Sequence, residues 1–111
     1  MTVEQLCTAV EGKVISGKEN IQRCIGSAMT CDLLSWVMAR GEADMAWVTV
    51  QTNINVVAVA ALHDLACVVL SEGNIPDQAV IDKAEEENIV LITTQLSSYA
   101  VCGALHAGNV K

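Results

Sequence analysis

The sequence predicts one α/β domain over residues 1–111, a small and mainly parallel sheet flanked by helices. Three observations predict it. From residue 45 onward, runs that are apolar throughout, "MAWVTVQ", "ACVVL" and "IVLIT", alternate with helical stretches, "NVVAVAALHDL", "DQAVIDKAEEEN" and "SSYAVCGALHAG". Strands buried on both faces and separated by helices call for parallel pairing through right-handed crossovers. The third observation is size and composition: 111 residues hold one core but not two, and just over half of them are hydrophobic. With Trp36, Trp47 and Tyr99 as the aromatic residues and no Phe, that core must be built from Val, Leu, Ile and Ala.

The elements follow in order. "TVEQLCTAVE" opens with Thr2 and has Gln5 three residues on, the spacing of a capping box, and Val3, Leu6, Cys7 and Val10 share a helical face. Gly12 is expected to end this helix. "KVISG" reads as a short strand and "IQRCIGSAM" as a second extended or irregular stretch. In "CDLLSWVMARG" Asp32 is placed to cap a helix whose apolar side is Leu33, Leu34, Val37 and Met38, and Gly41 stops it. The regular alternation then runs to the end, and "EEE" at 85–87 reads as a solvated helix terminus.

A formal charge of −7 argues against binding nucleic acid or an anionic membrane surface, since both attract clusters of Lys and Arg. No apolar run reaches a membrane span of roughly 18 residues, and the opening "MTVEQLC" has no basic stretch leading into an apolar one. Cys7, Cys24, Cys31, Cys67 and Cys102 are odd in number and lie in apolar or helical contexts, as reduced buried thiols do; a cytoplasmic location is expected.

The motifs that would announce chemistry fail on inspection. "GKVISGKE" sets Gly12, Gly17 and Lys18 at Walker A spacing, but Glu19 stands where a magnesium-binding Ser or Thr is needed, and the upstream stretch reads as helix. Cys24 and Cys31, like His63 and Cys67, lack the close-spaced pair that zinc requires, so neither a metal nor another cofactor is expected. Ser35 and Ser71 sit in no nucleophile elbow, and neither His63 nor His106 has a partner spaced for catalysis. Trp36 and Trp47 are expected to fill the core or a subunit contact.

One polar concentration remains. The carboxyl ends of parallel strands form a common edge, and three polar turns fall there: Gln51–Asn55, Ser71–Asn74 and Thr93–Ser97. Helices start after them, so free backbone N–H groups point to that edge and can hold a carboxylate or phosphate. Gln51, Thr52, Asn53, Asn55, Thr93, Thr94 and Ser97 are the candidate ligand residues. Helix capping accounts for most of them one at a time; their convergence is what points to a pocket.

The stretch from "CDLLSWVM" through "VTVQTNINVVAVA" and "IPDQAVIDKAEEE" to "SSYAVCGAL" resembles the DRTGG domain family, and "TVEQL" with "GKVISG" is similar to that family's start. The naming motif, a charged pair followed by Thr-Gly-Gly, is degenerate here and reads Cys24-Ile25-Gly26-Ser27-Ala28. The resemblance implies a fold similar to the amino-terminal, non-phosphorylating domain of HPr kinase. It also implies company: such domains are found alone, inserted in CBS-containing inorganic pyrophosphatases and beside phosphotransacetylases, and the stand-alone ones are often from anaerobes, near electron-transfer genes. The expected function is a non-catalytic regulatory or protein-interaction domain that senses a small anionic metabolite or nucleotide and acts with a partner enzyme. The alternative is a small metabolic enzyme working at the polar edge. A homodimer is expected, because so apolar a small domain has more hydrophobic surface than one core hides, with helix 32–39 and its Trp36 and Met38 as donor.

Overall fold

Thr2 closes the first helix as its spacing predicts: its hydroxyl accepts from Gln5 N–H while the Gln5 side chain accepts from Thr2 N–H. In the computed structural model, which describes all 111 residues, this helix is α1 (Val3–Ala9). Then come β1 (Lys13–Ser16), a single 3-10 turn (Lys18–Asn20), β2 (Ser27–Thr30), α2 (Leu34–Arg40) and β3 (Met45–Thr49). The chain continues through α3 (Asn55–His63), β4 (Cys67–Leu70), α4 (Gln78–Glu86), β5 (Leu91–Thr93) and α5 (Ser98–Ala107).

The sheet order is β1-β5-β4-β3-β2. Strands β2 to β5 pair in parallel and in sequence order, and β1 adds antiparallel beside β5. The strand period of two divides the core cleanly. Along β3, Ala46 and Val48 face a cluster with Val3 and Leu6 of α1, Val10 just after it, and Val101 and Leu105 of α5. Met45 and Trp47 face the other, with Val37 of α2, Val56, Val57 and Ala60 of α3, and Val80 and Ala84 of α4. Three layers result, with the crossovers α2, α3 and α4 all on one face.

Local corrections have local causes. In "IQRCIGSAM" only its end is strand, because Arg23 is held outside by two carboxylates at the amino ends of neighbouring strands: Asp44, and Asp64, whose backbone carbonyl also accepts at 2.6 Å. Burial works against the Arg23 charge, but the hydrogen bonds to Asp64 and Asp44 outweigh it and hold the guanidinium above its usual basicity. Asp32 does not cap α2. Its carboxylate accepts from Thr49 Oγ1 at 2.8 Å and from Val50 N–H at 2.9 Å, donors left open where β3 ends, and α2 begins after Leu33 without a side-chain cap. Glu85 in "EEE" is more than a solvated charge, since its carboxylate accepts from Gly17 N–H at 3.3 Å.

The glycines of the false phosphate loop have backbone reasons. Gly17 is left-handed, and a Cβ there would stand 2.7 Å from Ile89 O. Of the two Trp residues, Trp47 is fully buried and donates to Cys31 O at 2.8 Å, while Trp36 lies on the surface under Arg40. All five cysteines are free, but only Cys67 is fully buried, and burial pushes its thiol up to about 12.

Candidate functional site at the carboxyl edge of the sheet

The three polar turns lie along one edge and are stitched to each other through the middle one. Ser71 N–H donates to Thr49 O at 3.1 Å on the β3 side. On the β5 side, Glu72 N–H donates to Leu96 O at 2.8 Å and Gly73 N–H to Thr94 O at 2.9 Å. The hydroxyls of Ser71 and Ser98 meet at 2.6 Å, and Ser98 N–H donates to the Glu72 carboxylate.

Each candidate residue has a defined place. Gln51 is half-buried: its N–H donates to Thr49 Oγ1, and its side-chain amide donates to Asp32 O at 3.0 Å. Thr52 is half-buried beside it. Asn53 Oδ1 accepts from Asn55 N–H at 2.8 Å, an Asx turn that delivers the chain into α3, and Asn55 is the first residue of that helix. Thr94 is buried; its hydroxyl donates to Val10 O at 2.7 Å and accepts from Leu96 N–H at 3.1 Å. Ser97 caps α5 by accepting from Ala100 N–H at 3.1 Å.

An open cleft of about 200 Å³ occupies the β5 end of this edge, against the start of β1. Thr93 and Thr94 line it, together with Lys13, Gln95, Gly73 and Glu11. Gln51, Thr52, Asn53 and Asn55 stand at the β3 end, beyond β4, and Ser97 is occupied with α5. The sequence reading missed Lys13, Glu11 and Gln95. Lys13 reaches the cleft only because β1 pairs antiparallel with β5, setting Lys13 opposite Thr93, and no local pattern announces a partnership across eighty residues.

Lys13 supplies a cation, Thr93 a hydroxyl and Gln95 an amide, with Glu11 on the rim as an opposing charge. The hydroxyls of Thr49, Ser71, Thr94 and Ser97 are engaged in hydrogen bonds within the protein. No group of three or more His, Cys, Asp or Glu side chains is placed to hold a metal ion, and no helix is long and apolar enough to cross a membrane.

The profile of the DRTGG domain matches residues 5–107. The chain belongs to the DRTGG domain family. Among curated proteins no match is found. Among solved structures, this DRTGG domain is similar to the crystal structure of the CBS and DRTGG domains of the regulatory region of Clostridium perfringens pyrophosphatase, complexed with its activator diadenosine tetraphosphate. The TM-score is 0.78 at 12% identity, over 94% of this chain and 45% of that one. The two therefore share a fold, and the DRTGG domain described here spans less than half of that regulatory region.

Proposed function

We propose that this DRTGG domain is a non-catalytic regulatory and interaction module that takes a small anionic metabolite, or the phosphate end of a nucleotide, at its carboxyl edge and associates with itself. The cleft at the β5–β1 end carries the reading: it brings an ammonium, a hydroxyl and an amide to an open space, with the Glu11 carboxylate on its rim and no Ser, Cys or His nucleophile among its lining residues. Its volume of about 200 Å³ suits a phosphate or a short carboxylate and not a whole nucleotide. Membership of a family that includes the regulatory region of a pyrophosphatase supports a regulatory role alongside an enzyme. Self-association is supported by Leu33, Trp36, Met38, Ile54 and Leu62, large apolar side chains exposed on the α2 and α3 side.

A thermal-shift screen with inorganic phosphate, nucleotides and small phosphorylated metabolites tests the ligand. The parent is expected to be stabilised by at least one of them, and Lys13→Ala and Thr93→Val to lose that shift while melting alone near the parent temperature. Turnover of a metabolite abolished by a single change at Thr52 or Asn53 would overturn the non-catalytic reading. Sedimentation at micromolar concentrations tests self-association, with a dimer expected.

A further inference from the structure

β2 is the unguarded edge of the sheet. Cys31 N–H donates to Val48 O at 3.1 Å, and the register sets Ala28 beside Ala46 and Thr30 beside Val48. In a parallel ladder that alternation turns the N–H and C=O of Ala28 and Thr30 away from β3, toward the open side. Native edges are blunted by charge, proline or bulges. The opposite edge follows the rule, for β1 begins at Lys13 and breaks register between Val14 and Ser16. Ser27-Ala28-Met29-Thr30 has none of these devices and keeps an unbroken register.

The surroundings of this edge are mostly apolar on both faces. Above it, Leu33 and Trp36 are 60% and 49% exposed. They lie on the flank of α2 turned away from α3, which meets the other flank where His63 Nε2 contacts Met38 O at 2.8 Å. Below it, a cavity of about 190 Å³ opens between β2 and α5, lined by Ala28, Cys102, Leu105 and Val110 together with Thr30, His106 and Lys111.

We infer that this edge is a self-complementary interface: two copies of the chain join β2 to β2 in antiparallel fashion about a two-fold axis at Met29, making one continuous sheet. The inference rests on the self-association proposed above and names its surface. The two-fold sets Ala28 of one copy opposite Thr30 of the other, the residues whose donors and acceptors are turned outward, so both pairs close their hydrogen bonds. The helices fit as well. α2 is the crossover over the β2–β3 gap, and with strands about 4.8 Å apart the second α2 lies about 10 Å away on the same face, the spacing of packed helices. Leu33 and Trp36 fill the space between them, and the antiparallel helices bring the Arg40 end of one to the Asp32 end of the other. β2 carries no charge of its own, and the carboxylate bound to it, Glu42 accepting from Ser27 Oγ at 3.0 Å, sits at the start of the strand, two residues from the axis at Met29. A foreign strand could use the same backbone groups, but the matching of Ala28 with Thr30, and of Leu33 and Trp36 with their own symmetry copies, belongs to a second copy.

Crosslinking and sedimentation decide it together. At a non-hydrogen-bonded antiparallel position the two Cα atoms lie about 4.5 Å apart, within disulfide reach. Met29→Cys, made with Cys24→Ser and Cys31→Ser, is therefore expected to form a covalent dimer under mild oxidation. Thr30→Pro removes an outward donor at an exposed edge position, where proline is tolerated, and should sediment as a folded monomer by circular dichroism. Trp36→Ala should raise the dimer dissociation constant about tenfold. A parent that is monomeric throughout the micromolar range removes the self-association reading and this inference with it. A parent dimer that persists in both variants, with no crosslink through position 29, places the contact elsewhere and overturns the edge assignment alone. If Thr30→Pro fails to fold, the crosslink decides.

Discussion

The turns after β3 and after β5 do the same task by opposite means. Gln51–Asn55 is built from its own Asx turn and from Asp32, two residues ahead of α2; its side chains remain at or near the surface. Thr93–Ser97 is anchored across the molecule, because the buried Thr94 hydroxyl binds the end of α1 at Val10. The locally closed turn can change without disturbing the core. The anchored one lines the cleft at the β5–β1 end of the edge, so a change there touches the cleft and the core together.

Thr94→Val should break this contrast most visibly. It keeps the volume but leaves Val10 O and Leu96 N–H without their partner, at a cost of about 2 kcal/mol. Urea titration followed by circular dichroism measures it, and a loss no greater than that of a surface substitution would show the anchor to be dispensable. Asp32→Ala should cost about 1 kcal/mol, since it removes two acceptor contacts from an exposed carboxylate at the end of β3. Hydrogen exchange sharpens that outcome: the Val50 amide should lose protection while Leu91 keeps it. The smallest effect belongs to Asn53→Ala, about 0.5 kcal/mol, at the low end of what side-chain caps contribute. A melting temperature lowered more by Asn53→Ala than by Thr94→Val would reverse the comparison.

What the sequence made legible follows from how far each cause reaches. The parallel sheet and its helices could be read because the patterns in "NVVAVAALHDL" and "ACVVL" are local; Val56, Val57 and Ala60 of the first pack in the core against Val68 and Leu70 of the second. The capping box at Thr2 and Gln5 was legible for the same reason. Asp32 was misread because helix start and strand end compete for one carboxylate, and only the packed structure shows which donors come within reach. The cleft was half legible: Thr93 and Thr94 belong to a strand end that periodicity finds, whereas Lys13 and Glu11 arrive through a pairing that no window of sequence contains.

The placement of β1 has a consequence for the order in which the protein assembles. Ser16, fully buried, donates to Ile89 O at 2.7 Å and accepts from Leu91 N–H at 3.1 Å, so the first strand made has its partner in the last. Contacts of such separation form late, after loop closure by the intervening elements has lowered their entropic cost. During synthesis β1 therefore has no strand to pair with until β5 has left the ribosome, whereas the start of α1 already finds partners at Ile21, Arg23 and Cys24.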